Sequence, residues 1–245
     1  MPSPNPPSLS VTSAFAVPIV ATVLPDCAGL NARLRELFLK WEKDTGRKRS
    51  SVPTGVVKVG VYESGFDLFS NPEPEIQALR HFCLNTLGHV VARLNRYGDK
   101  EMAGLRIHEH SWYHLTRHAG YTAQHNHPMA SWSGVYCVDP GDAAPERANS
   151  GALRFLDARG PAGMYLDSGN ARLDRPFGFG ALVYFLTPGQ LVLFPSYLSH
   201  EVAPYFGQRE RITVAFNAWV REAGAAADAP FVRAQGTSGG TPPAV

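Results

Sequence analysis

From Leu105 onward the chain is built of short β-rich runs: LRIHEHSWYHL (105–115), WSGVYCV (132–138), ALRFL (152–156), ALVYFL (181–186), QLVLF (190–194) and ITVAFNAWV (212–220). Gly, Pro, Asn and Asp separate them, which is how strands and their turns read in sequence. Two helical stretches come first. Asn31 to Glu42 places Leu34, Leu37, Phe38 and Trp41 at helical spacing, and Pro74 to Leu94 repeats the pattern with Ile76, Leu79, Phe82, Leu87, Val90, Val91 and Leu94. The second opens on Asn71-Pro72-Glu73-Pro74-Glu75, whose prolines and carboxylates suit a first turn. Ala14 to Leu24 reads as a first strand. Helices followed by many short strands, without βαβ alternation, predict a mainly β fold with flanking α, an α-flanked β-sandwich or jelly roll.

Working outward, 245 residues with 44% hydrophobic and 18% charged side chains can bury a core as one domain over 13–220, with helices about 31–97 and the β core about 104–220. The ends, 1–12 and 221–245, are rich in Pro, Gly, Ala and Ser and are expected to be mobile. Cys27, Cys83 and Cys137 form no CxxC and cannot all pair, so a cytoplasmic setting is expected. The apolar run at Ala14 to Leu24 is too short for a bilayer, has Pro18 inside it and no Lys or Arg before it, so neither a membrane span nor a signal peptide is expected. A formal charge of +2, with one basic run at Arg47-Lys48-Arg49, gives no nucleic-acid footprint. An unknown small-molecule or peptide substrate is the expected partner. Assembly into a homo-oligomer stays open.

Histidine is the residue used unevenly. Six of the nine (His108, His110, His114, His118, His125, His127) fall within twenty residues. In Gln124-His125-Asn126-His127-Pro128, an extended backbone points residues i and i+2 to one side, so His125 and His127 can offer two imidazoles to one ion. His200 is the expected third ligand. It follows the buried run Gly189 to Phe194 and a Phe-Pro turn. If the next segment is a hairpin centred between Tyr205 and Phe206, His200 stands opposite Arg211, and a guanidinium lies beside the metal ligand. That suits a dicarboxylate: one end chelates the metal, and the other ion-pairs with Arg211 with help from the Thr213 hydroxyl. Arg209 has the same parity and would replace Arg211 if the turn shifted by one residue. His81 and His89, on the second helix, read as packing or surface residues, as do His108, His110 and His118.

These pieces resemble the iron(II)- and 2-oxoglutarate-dependent dioxygenases, in particular a bacterial and phage branch with the pattern HxHP…SGVYYV…LFPSxLxH…RISISFN. The matching residues are His125 to Pro128, Ser133 to Val138, Gly151 to Arg159, Gly189 to His200 and Arg211 to Asn217. The resemblance spans about 105–219. It implies a double-stranded β-helix (jelly roll, cupin-like) core with the metal at its open end, iron on His125 and His200, the 2-oxoglutarate C5 carboxylate on Arg211, and His114 as a polar residue lining the cosubstrate pocket. Fe(II), 2-oxoglutarate and O2 are the implied cofactor and cosubstrates, and succinate, CO2 and an oxidised, hydroxylated substrate the products.

Two departures stand out. The commonest iron site of this superfamily is two histidines and a carboxylate, but position i+2 here is His127. Either His127 coordinates directly, or the third ligand is water, a halide, or Asp139, Asp142 or Asp157. Ala158 also stands where the pattern has Pro before Arg159. Two further readings are a cupin-like three-histidine metal enzyme that does not use 2-oxoglutarate, and a non-catalytic metal-binding β-sandwich. The loops 139–150 and 160–180 are expected to cover the mouth of the site.

Overall fold

In the computed structural model, residues 10–44, 55–142, 147–159 and 166–224 are described. The elements run β1 (Val20–Val23), α1 (Ala28–Lys43), β2 (Lys58–Glu63), a 3-10 turn (Leu68–Ser70), α2 (Pro74–Asn95), α3 (Asp99–Ala103), β3 (Leu105–His125) and β4 (Trp132–Asp139). Then come β5 (Leu153–Phe155), β6 (Leu182–Tyr184), β7 (Gln190–Pro195), β8 (His200–Tyr205) and β9 (Arg211–Glu222). The two expected helices and the expected strands are present, the first strand reduced to β1. The expected mobile ends fall outside the described residues except for 10–12 and 221–224, and Arg221 and Glu222 complete β9. Arg47-Lys48-Arg49 also lies outside them. No described helix is long and apolar enough to cross a membrane, and all three cysteines are free.

The strands form one curled antiparallel sheet in the order β1-β7-β4-β9-β3-β8-β5-β6, with β2 also on β3. This is a jelly-roll core, and β3 joins its two layers. Its first part pairs with β9, from Leu105↔Glu222 to Thr116↔Arg211, and its last part pairs with β8, from Gly120↔Tyr205 to His125↔His200. The sequence pattern ends a strand at Leu115, where Thr116-Arg117-His118-Ala119-Gly120 breaks the apolar alternation. The chain instead passes through that stretch with Ala119 at φ 58° and register shifts after Gly120. One strand can thus serve two layers because it bends where its side chains stop being apolar.

Side-chain alternation sorts the core. On β4, β7 and β9, Tyr136, Val138, Leu191, Leu193, Ile212, Val214 and Phe216 pack under the helices with Leu34, Phe38, Leu79 and Leu87. Phe38 stacks on Tyr113 at 4.2 Å, and Tyr136 Oη donates to Asn31 Oδ1 at 2.8 Å. The neighbours of these strand residues, Cys137, Val192 and Phe194, face the opposite way and pack with Leu153, Phe155 and Leu198 between the layers. Period two therefore puts the odd-numbered residues of β9, Arg211 and Thr213 among them, on the interior face.

One local device also positions the site. Lys58 and Glu63 are five apart on β2, so regular alternation would send them to opposite faces. A bulge between Val59 and Val61, with Gly60 at φ 60°, resets the alternation and brings them together at 3.0 Å. The bulge packs backbone to backbone on β3. A Cβ added at Gly120 would lie 2.7 Å from the carbonyl oxygens of both Arg117 and Gly60. Gly120→Ala is therefore expected to destabilise the protein by about 1–3 kcal/mol, the range for overpacking, seen as a melting temperature several degrees lower. An unchanged melting temperature would show that the bulge yields freely.

Candidate metal centre

His125, His127 and His200 converge, with one ligand atom from each lying within 4.8 Å of the others. Ring centroids are 5.0 Å apart for His125–His127, 4.3 Å for His125–His200 and 5.1 Å for His127–His200. Two strands and the segment just after β3 deliver them. His125 ends β3 and is directly paired with His200 at the start of β8. His127 lies just past β3, where its N–H donates to Ser196 O at 2.9 Å. That bond ties the HxH segment to the turn after β7, so the Phe-Pro-Ser stretch positions two of the imidazoles at once.

The donor set suits a divalent metal. The Nδ1 atoms of His125 and His200 are hydrogen-bonded to the carbonyls of Ala123 (2.8 Å) and Leu198 (2.9 Å). A ring that donates through Nδ1 presents its Nε2 lone pair, the form a metal takes. Burial keeps the rings neutral: desolvation pushes His127 down to about 3 and His200 to about 4, and lowers His125 as well.

Two cavities meet at His125 and His127, and His200 lines the inner one. The inner one is narrow, about 40 Å³, and includes His114, Arg211 and Thr213 in its lining. Arg211 is 4% exposed, and its buried Nη2 atom has no hydrogen-bond partner among the described residues. Desolvation lowers its pKa, as expected of a cation held out of water. The outer cavity, about 170 Å³, is reached from β2 and includes Lys58, Glu63, Phe66 and Trp112. Two larger clefts, of about 530 and 570 Å³, contain none of the three histidines, so side-chain chemistry and not size singles out the site. The described part of loop 160–180 walls the second of these.

Several expectations need correction. His200 and Arg211 are not cross-strand partners, because β8 pairs with β3 and β5 while β9 pairs with β3 and β4. The link between them is no tight hairpin. Asp142 Oδ1 accepts from the N–H groups of Gln208 and Arg209, and Tyr205 Oη donates to Arg209 O, so the segment crosses between layers. Arg211 and His200 reach the same cavity from opposite layers, with β3 between them. Arg209 stays outside, half exposed, on Asp139 at 3.2 Å. The carboxylate alternatives to His127 are committed elsewhere: Asp139 to Arg35 and Arg209, Asp142 to the 206–210 link, and Asp157 to Arg159 at 2.7 Å.

Of the crowded histidines, His114 does line both cavities. It is paired with Thr213 across the ladder, and its Nε2 lies 2.8 Å from Glu63 Oε2 and 3.1 Å from Trp112 Nε1. Burial lowers its pKa. Burial alone would raise Glu63, but its bonds to His114 and Lys58 outweigh that and hold it low. His110 meets Trp219 edge to face and borders the outer cavity, while His118 packs on Phe206. Lys58 and Glu63 were not foreseen. The signal available was Gly60 inside a β-run, which marks a bulge.

Solved structures of similar fold include a prolyl-4-hydroxylase of Pseudomonas putida, 16% identical over 84% of this chain and 93% of that one, TM-score 0.54. AviO1 of Streptomyces viridochromogenes Tue57 is also 16% identical, over 86% and 92%, TM-score 0.53. The fold is that of the 2OG-Fe(II) oxygenases. The epimerase SnoN, in complex with Fe3+, alpha-ketoglutarate and nogalamycin RO, is 13% identical over 83% of this chain and 80% of its own, TM-score 0.50. Residues 110–217 match the family described as "Putative 2OG-Fe(II) oxygenase", a stretch that includes all three histidines and Arg211. No curated protein matches the chain.

The buried imidazoles predict a pH effect. An unfolded histidine takes up a proton below about pH 6.5, whereas folded His127 and His200 do so only near 3 and 4. Between those values the unfolded chain binds more protons, so stability falls as pH falls. The melting temperature of the metal-free protein should drop progressively from neutral pH toward pH 4, and less steeply in the His127→Phe/His200→Phe double variant. Equal slopes in the two proteins would contradict the assignment.

Proposed function

We propose that the protein is an Fe(II)- and 2-oxoglutarate-dependent dioxygenase that decarboxylates 2-oxoglutarate to succinate and oxidises, by hydroxylation, an organic substrate. The observation that carries this reading is the buried Arg211 guanidinium with an unpartnered Nη2, sharing one narrow cavity with three convergent histidines. A buried cation without a partner is costly, and a carboxylate entering that cavity supplies the partner.

In this reading His125, His127 and His200 would hold the iron. The iron supplies O2 activation coupled to decarboxylation of the keto acid. The protein's part is placement. Arg211 and the Thr213 hydroxyl take the C5 carboxylate of 2-oxoglutarate, and the inner cavity is of a size for that end of the molecule, with the keto acid end directed at the triad. His114, opposite Thr213, is a further polar group on the same wall. Phe194 and Leu153 close the interior side and exclude water.

Aerobic incubation with Fe(II) and 2-oxoglutarate should produce succinate slowly even without substrate, and His200→Ala should abolish it along with metal binding. Arg211→Met should weaken 2-oxoglutarate binding by about 10–100-fold, the worth of hydrogen bonds to a charged group, while leaving metal affinity intact. It should not lower the melting temperature of the metal-free protein, since it removes an unpaired buried charge. If the metal-loaded protein does not bind 2-oxoglutarate, the three-histidine metal enzyme reading replaces this one.

A further inference from the structure

The outer cavity has a chemistry that the proposed cosubstrate does not use. It reaches the metal face at His125 and His127, is walled by Phe66 and Trp112, and has Lys58 and Glu63 on its rim strand. Phe66 meets Trp112 edge to face at 5.2 Å, and Trp112 lies 5.9 Å from the His127 ring. Lys58 Nζ is 3.0 Å from Glu63 Oε2, with side-chain exposures of 14% and 10%. The same oxygen is 2.8 Å from His114 Nε2, so this carboxylate is already shared between two groups.

Charge decides what the chamber can receive. Histidine ligands are neutral when they bind a metal, so three of them leave a divalent ion with both its charges. 2-Oxoglutarate brings two negative charges, which balance the ion, and Arg211 remains as an added cation. Lys58 and Glu63 cancel. Among the described residues lining the two cavities, Glu63 is the one carboxylate. The loaded site therefore carries one positive charge in excess, even with His114 neutral. A carboxylate in place of His127 would have removed it. In a chamber of low dielectric an uncompensated charge is felt strongly.

Resting on the reading of this centre as an Fe(II)/2-oxoglutarate site, we propose that the outer chamber binds a small substrate bearing a carboxylate, with the anion on Lys58 Nζ and the carbon frame between Phe66 and Trp112. The substrate's own charge completes the balance that the third histidine leaves open. The Gly60 bulge has a functional consequence here, because it is what turns Lys58 to the same face as Glu63 and the triad.

The test uses the full-length protein loaded with Zn(II) and saturated with 2-oxoglutarate, in low-chloride buffer. Benzoate, phenylacetate and hexanoate are titrated against their neutral amides by calorimetry. At least one carboxylate is expected to bind about tenfold or more tightly than its amide, Lys58→Met should erase the difference, and Lys58→Arg should preserve it. Equal or absent binding of acids and amides in the unaltered protein overturns the proposal. So does an acid preference that survives Lys58→Met, because the anion would then sit on the metal or on Arg211. Succinate formation and 2-oxoglutarate binding by the unaltered protein are measured separately. If those fail, the reading of the centre fails; if they hold and the probes are not discriminated, only the chamber proposal falls.

Discussion

The structure depends on one strand belonging to two layers. Over Leu105–Thr116, β3 hydrogen-bonds to β9, and over Gly120–His125 to β8. Residues 117–119 between them are exposed, and Ala119 takes up the bend in a left-handed conformation. Because side chains alternate along each ladder, the register of β3 on its neighbours sets which of them enter the interior. A slip of one residue against β9 would move Arg211 and Thr213 under the helices, where Ile212 and Val214 now pack. The same strand pairs His125 with His200, so the position of these imidazoles and that of the buried guanidinium follow from one backbone alignment.

That alignment concentrates polar groups where a jelly roll would otherwise be apolar. Three imidazoles, a guanidinium, Thr213 and His114 share the space above Leu153 and Phe194. Buried polar groups without partners oppose folding. The outer faces compensate: Leu34, Phe38, Ile76, Leu79 and Leu87 are fully buried between helices and sheet. The helices thus act at a distance from the chemistry. They supply apolar burial to a sheet whose other face is given over to ligands, which is the usual division between a stabilising scaffold and a costly site.

Much of this was legible in the residues. The helix faces follow from Leu34, Phe38 and Trp41 and from Ile76, Leu79, Leu87, Val90 and Val91, because a helix that packs on one side writes its period into the chain. The HxH pair, His200 after a buried run, and Arg211 before Ile-Thr were visible as an ordered set. What misled was locality. The span from His200 to Thr213 looks like a hairpin because its ends are close in sequence, yet β3, eighty residues earlier, lies between the two strands. Pairing energy comes from whichever edge is offered, and no local pattern records that a distant strand offers a better one. Lys58 and Glu63 were missed for a related reason: simple alternation sets them on opposite faces, and only the bulge at Gly60 reunites them.

Side-chain type and period are local properties that survive without coordinates, so the residues alone carried the mainly β fold class, the candidate imidazoles His125, His127 and His200 and a cation near them, with the part of His127 and the choice between Arg211 and Arg209 left open. The tertiary structure alone decided that Arg211 is interior and Arg209 exterior, that Asp139, Asp142 and Asp157 are occupied elsewhere, and that Lys58, Glu63 and Trp112 form a second chamber on the triad. Those outcomes depend on strand order, on one bulge and on which charges find partners. Each is settled by contacts between segments far apart in the chain, so none is written in any single stretch of it.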